Sequence, residues 1–144
     1  MLDIARAALD RARARLSPND CLVRWLEADV TSDWQASPVD IWHDRAAFHF
    51  LTNPADRAAY LEHVATTVKP GGHVIIATFA ADGPQRCSGL PVSRYSPEAL
   101  AYEFRDVATA IGSTSERHIT PSGAVQAFSY SLMKVRGRQT DQRG

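Results

Sequence analysis

VDIWHDRAAFHFLTNPADRAAYLEHVATTVKPGGHVIIATF, residues 39–79, reads as strand, helix and strand in succession. Val39-Asp40-Ile41-Trp42 is a short strand. Asn53 then offers a side-chain oxygen to a helix start, and Pro54 takes the first helical position, where its missing N–H is not needed. Leu61, Val64, Ala65 and Val68 recur at helical spacing as the buried stripe. Lys69-Pro70-Gly71-Gly72 stops the helix and turns the chain into HVIIATF, His73 to Phe79. That run is almost continuously apolar, as a strand covered on both faces must be.

The flanks extend the same alternation. Upstream, Leu2 to Ile4 leads into a helix in which Ala5, Leu9, Ala12 and Leu16 form one apolar stripe. Arg6, Asp10, Arg11, Arg13 and Arg15 occupy mostly its other faces. Ser17-Pro18-Asn19-Asp20 breaks it, Cys21 to Leu26 reads as a strand ending at Glu27-Ala28-Asp29, and Thr31 to Pro38 is a loop. Downstream, Ser96 and Pro97 open a third helix carrying Leu100 and Phe104. The stretches Ala108 to Ile119 and Val125 to Val135, joined through Thr120-Pro121-Ser122-Gly123, form an antiparallel hairpin. The expectation is an α/β fold, mostly parallel with that hairpin at its C-terminal end. Residues 1–135 make one domain and 136–144 a polar tail.

Composition narrows the function classes. Sixteen Lys and Arg balance 16 Asp and Glu among 144 residues, so no net charge draws the chain to nucleic acid or an anionic membrane. No apolar run approaches the roughly 20 residues of a spanning helix. The arginines of MLDIARAALDRARARL stand where a signal peptide needs its apolar core. Cys21 and Cys87 are too few for a disulfide scaffold or a zinc site. A reduced, cytoplasmic domain is expected.

In open α/β sheets ligands bind beyond the carboxyl ends of the strands, and Asp3, Asp29 and Asp40 fall near such ends in this reading. The ordered segments LDIARAALDRARARL, WLEADVT, VDIWHDRAAFHFL and VKPGGHVIIATF resemble the class I S-adenosylmethionine-dependent methyltransferases, most of all their bacterial small-molecule branch. The resemblance covers about Leu2 to Val135, and the later RCSGLPVSRYSPEAL segment is also similar to that branch. It implies a Rossmann-like methyltransferase sheet, S-adenosylmethionine as cofactor and a small-molecule methyl acceptor. Asp3 matches the acid that holds the cofactor ribose. Asp29 matches the acid that bonds the adenine amino group, with Val30 giving an apolar contact and a backbone donor. Asp40 to His43 matches the strand whose end faces the methyl group, placing Trp42 and His43 at the cofactor. His43, Asp44 and Arg45 would line the methionine or acceptor pocket. His43 suits a general base, and Arg45 could grip an acceptor carboxylate as a bidentate fork.

One signature of that family is missing. The chain has no Gly-x-Gly, and Gly71-Gly72 follows a helix rather than a first strand. Counting back from Asp3 places the glycine loop before Met1, so the reading expects a methyltransferase domain truncated before its second strand. Open sheet edges would then favour self-association. The alternative function is a non-catalytic remnant acting through protein association. His43, Asp44 and His49 match no zinc spacing, and the expectation is no metal, with His49 in or near the core. Cys87-Ser88 lacks a nucleophile elbow. Trp25 suits core packing, while Trp34 in its loop suits a pocket.

Overall fold

The computed structural model describes residues 1–137, so residues 138–144 of the expected polar tail lie outside it. Its contacts separate into two compact units, Met1–Ala36 and a second starting at Ser37.

In the first unit, β1 (Leu2–Asp3) pairs in parallel with β2 (Leu26–Glu27), in the register Leu2 to Leu26 and Asp3 to Glu27. Between them runs α1 (Arg6–Leu16). Leu9 is its one buried residue, so the expected four-residue stripe contributes a single core contact. A two-stranded sheet offers too little surface to cover three turns of helix. The arginine face is tied inside the unit, with Arg6 on Glu27 at 3.1 Å and Arg13 on Asp20 at 2.9 Å. The strand expected from Cys21 to Leu26 forms only at its end, as Leu26–Glu27. Asn19–Leu22 is a 3-10 turn, Val23 N–H closes on the Asp20 carbonyl, and the Trp25 indole donates to that same carbonyl at 3.1 Å. With β1 offering two residues to pair, the ladder is equally short.

The second unit carries a four-stranded sheet in the order β3 (Val39–Arg45), β4 (Val68–Phe79), β8 (Val125–Val135), β7 (Ala108–Ile119). β3 and β4 are parallel, joined through α2 (Pro54–Thr67). The C-terminal strands β7 and β8 are antiparallel to each other, as the hairpin reading expects, and β8 pairs antiparallel with β4. The start signals act as anticipated. Asn53 accepts from Ala55 N–H at 2.9 Å, and Ser96 accepts from Ala99 N–H to open α3 (Pro97–Glu103). The buried residues of α2 are Tyr60, Val64 and Thr67, a stripe rotated from the one expected.

The Lys69-Pro70-Gly71-Gly72 turn is also different in kind. The helix ends at Thr67, and these residues form an irregularity inside β4, where pairing steps from Val39–Val68 to Ile41–His73. A Cβ on Gly72 would lie 2.7 Å from Val68 Cγ1 and 2.8 Å from the Asp40 carbonyl oxygen. Glycine is therefore demanded by the close passage of β3 and β4.

Alternation along the strands divides the sheet into two faces. Trp42 and Asp44 face α2 through Tyr60, while Phe48, Tyr60, Leu100 and Phe104 form the core on that side. The register puts Ile41, His43, Arg45, Ile75, Tyr130 and Leu132 on the other face. There Ala77, Phe79 and Phe128 pack beneath Cys87 and Val92, of the segment holding the small β5 (Arg86–Cys87) and β6 (Leu90–Pro91). Farther along, Ile41 is 57% and Leu132 38% exposed.

Candidate functional site

In the first unit the parallel pairing brings two of the expected acids to one end. Asp3 closes β1, and Asp29 stands two residues beyond β2. Each spends Oδ1 on its own turn. Asp3 accepts from Ala5 N–H at 2.8 Å, which substitutes for the missing side-chain cap at the start of α1. Asp29 accepts from the Thr31 N–H at 2.8 Å and the Thr31 hydroxyl at 2.7 Å. These two bonds, the backbone one foremost, hold the Asp29 carboxyl below its ordinary range, so it stays ionised near neutrality. In both acids Oδ2 stands outside these turn bonds. Val30 is half-buried, and its carbonyl accepts from the Trp34 indole at 3.1 Å, so Trp34 serves the fold of its own loop.

Asp40 does not belong to this set. It is the second residue of β3, at the amino end, and binds Lys69 Nζ at 2.8 Å. Strand direction places it opposite the ligand end of the sheet.

In the second unit the four consecutive residues 42–45 are dealt alternately to the two faces. Trp42 turns toward α2, where its indole N–H donates to Tyr60 Oη at 2.8 Å and its ring meets the Tyr60 ring edge-on. Asp44, expected to line the ligand pocket, is instead a core carboxylate. It receives the Tyr60 hydroxyl at 2.6 Å, Ala47 N–H at 2.9 Å and Phe48 N–H at 3.0 Å. Burial raises its pKa against these three bonds, and the same burial beside Asp44 pushes the Tyr60 phenol well up. The carboxylate also fixes the turn after β3, where Ala46 holds φ at 66°, a value that side-chain-bearing residues rarely adopt.

His43 and Arg45 share the other face. His43 is exposed. Arg45 donates through Nε to Tyr130 Oη at 2.9 Å, and Tyr130 donates in turn to Glu116 at 2.7 Å. The guanidinium carbon lies 4.4 Å from the Phe128 ring centroid. Such a cation–π seat and phenol bond engage the group expected to grip a carboxylate. Neither Tyr130 nor Glu116 was flagged by the sequence reading.

His49 is buried as expected, between Phe50 and Phe79. Its Nδ1 accepts the Phe79 N–H at 3.2 Å, which puts the imidazole proton on Nε2. Burial lowers its pKa to about 4, so it is neutral at pH 7. It clasps the turn after β3 to the end of β4. Among the described residues, no three metal-ligating side chains cluster, and no helix is long and apolar enough to cross a membrane.

A cofactor bearing adenosine finds a fitting donor set in the first unit: two carboxylates at adjacent parallel strand ends, each with an oxygen outside its turn bonds. Gly71-Gly72 gives no cradle for the rest of such a molecule, because the space beside Gly72 is filled by Val68 and the backbone.

A family model described as a methyltransferase domain matches residues 1–72, half of the 144. No curated protein matches the chain. Among solved structures, the N-methyltransferase NodS from Bradyrhizobium japonicum, in complex with S-adenosyl-L-homocysteine, superposes with a TM-score of 0.70 at 14% identity over 94% of this chain. The 1,6-didemethyltoxoflavin-N1-methyltransferase of Burkholderia thailandensis gives 0.69 at 18% identity over 94%. A Methanosarcina mazei S-adenosylmethionine-dependent methyltransferase gives 0.70 at 12% identity over 94%. The chain spans 65%, 60% and 80% of these three proteins, less than two thirds of the first two. The fold is accordingly the Rossmann-like methyltransferase fold.

Proposed function

Because the chain belongs to the methyltransferase-domain family and has the class I methyltransferase fold, we propose that it binds S-adenosylmethionine and passes the sulfonium methyl group to a small-molecule acceptor. The observation that carries this reading is the pair Asp3 and Asp29 at the carboxyl ends of two adjacent parallel strands. NodS and the toxoflavin enzyme, both solved with S-adenosylhomocysteine, support it by likeness of fold.

In this reading Asp3 accepts the ribose hydroxyls on the oxygen its turn leaves over, and Asp29, kept ionised by Thr31, accepts the adenine amino group. Val30 lies against the adenine face. The cofactor supplies an activated methyl on a cationic sulfur. The protein's own part is to align the acceptor behind that carbon and exclude water. His43, exposed on β3, takes the acceptor proton as general base. Arg45, seated on Tyr130 and Phe128, acts by holding the sheet face beside it rather than as a free anion fork. Trp42, expected at the cofactor, is instead engaged within the second unit by the Tyr60 hydroxyl and ring. The 1,6-didemethyltoxoflavin bound to the Burkholderia enzyme supports a small molecule as substrate. The outer edge of β3 pairs with no strand among the described residues, which supports association through that edge. The use of only two cysteines, too few for a disulfide scaffold, supports a cytoplasmic setting.

Calorimetric titration with S-adenosylhomocysteine tests the reading. It expects a dissociation constant in the micromolar range and a loss of at least tenfold, about 1.4 kcal/mol, in Asp29→Ala. No heat at millimolar ligand would replace it with a non-catalytic remnant that works by protein association.

A further inference from the structure

We propose that the depression between the segment leaving β4, the first turn of α2 and the end of α3 holds the carboxylate of an anionic methyl acceptor, with Arg94 as its fork. The proposal rests on the methyl-transfer reading and names the acceptor's chemical class. The depression is shallow and open to solvent, spans about 590 Å³, and is lined chiefly by Arg57, Val92, Ser93, Arg94, Tyr95 and Glu103, all of the second unit. Such an open site suits a small anion held at one end, with the rest of the acceptor reaching into solvent. Its place is the carboxyl end of the β3–β4 parallel pair, where open α/β sheets take their ligands. Tyr95 N–H bonds the Phe79 carbonyl at 2.9 Å and Ser93 N–H bonds the His49 carbonyl at 2.8 Å, fastening the lining to that end.

The two guanidiniums there are not equivalent. Arg57 is spent: Nε faces Glu103 at 3.3 Å and Nη1 donates to the Leu51 and Thr52 carbonyls. Arg94 is exposed, and among the described residues it forms no ion pair. Its hydrogen bond there runs from Nη1 to the Gly83 carbonyl at 3.1 Å. That carbonyl is well fixed, since a Cβ on Gly83 would lie 2.8 Å from the Ala127 carbonyl oxygen and 3.0 Å from that of Ala80. One corner of the Arg94 guanidinium is thus anchored while the remaining N–H groups stay available for a bidentate carboxylate, geometry that an ammonium cannot reproduce. Ser93 and Tyr95 supply hydroxyls, and burial holds the Tyr95 phenol protonated at neutral pH. Val92 gives an apolar wall for the body of the acceptor. The carboxylate fork that residue type suggested at Arg45 falls instead to Arg94.

The test titrates benzoate, and benzamide as its uncharged counterpart, into the ¹⁵N-labelled chain while the arginine Nε–Hε signals are followed. Benzoate is expected to shift the Arg94 signal saturably, and benzamide to bind at least tenfold more weakly. Arg94→Gln should abolish the preference for the acid with its thermal midpoint unchanged, because the side chain is exposed, while Arg45→Gln should keep it. An Arg94 signal unmoved by benzoate, or equal binding of acid and amide, overturns the proposal. A parallel S-adenosylhomocysteine titration separates the two readings. Cofactor binding without a benzoate response retires the anion site alone, and a benzoate response without cofactor binding keeps a carboxylate site at Arg94 but overturns its assignment to a methyl acceptor.

Discussion

Replacing Tyr60 by Phe removes one oxygen from the most buried polar cluster of the second unit. That oxygen donates to Asp44 Oδ2 at 2.6 Å and accepts from Trp42 Nε1 at 2.8 Å. The first bond runs to a carboxyl group only 7% exposed, and hydrogen bonds to charged groups contribute about 1.5–3 kcal/mol. The second is neutral and contributes about 1 kcal/mol. Together the loss should be about 2.5–4 kcal/mol, a large share of the roughly 5–15 kcal/mol that holds an ordinary domain folded. Urea unfolding at pH 7 measures it. The loss should also depend on pH. Burial raises the folded-state pKa of Asp44, so the native state binds its proton more readily than the unfolded chain does. The stability this group confers is therefore complete below the unfolded carboxylate pKa and falls as pH rises through the folded one. Ionised Asp44 leans hardest on the Tyr60 hydroxyl, so Tyr60→Phe should cost more at pH 7 than at pH 3.5. In an Asp44→Ala background the same change should cost about 1 kcal/mol, the Trp42 share. A cost that is below about 0.5 kcal/mol, or equal in both backgrounds, would refute the reasoning.

Three further outcomes are expected. For His49 the folded pKa is lowered from 6.5 to about 4, so its stabilising contribution is complete above 6.5 and is lost as pH falls toward 4. His49→Gln should flatten that acid-side loss by roughly 2 kcal/mol, read from unfolding curves at pH 7 and pH 4.5. Gly72→Ala should destabilise by about 1–3 kcal/mol, because its methyl would collide with Val68 and two carbonyl oxygens; a neutral result in a urea melt would contradict the close strand passage. Asn53→Ala should cost about 1 kcal/mol through loss of the bond from Ala55 N–H, while Asn53→Asp should cost little.

What the sequence made legible was written in short-range signals. The Asn53-Pro54 and Ser96-Pro97 starts, the HVIIATF run and the Thr120–Gly123 hairpin all depend on residues a few positions apart, and each appears where it was expected. What it left hidden depends on distant partners. Asp44 reads as a pocket residue until Tyr60, sixteen positions on, claims it. Arg45 reads as an anion fork until Tyr130 and Phe128, more than eighty positions away, receive it. Strand direction, a property of the sheet, moved Asp40 to the wrong end for a ligand. The position of Asp3 and Asp29 at strand ends was legible because each lies within two residues of the short strand it follows or closes. Arg94 lay within a segment whose family likeness was visible, but its bond to the Gly83 carbonyl emerges only in the fold.

The central claim, that two acids at adjacent strand ends hold an adenosine, is tested most directly by following backbone amides while S-adenosylhomocysteine is added. The account predicts saturable shifts concentrated at Ala5, Val30 and Thr31, whose N–H groups lie beside Asp3 and Asp29, and their disappearance in the Asp3→Ala, Asp29→Ala double variant. Shifts confined to the Gly71–Gly72 region, or none at millimolar ligand, would contradict it.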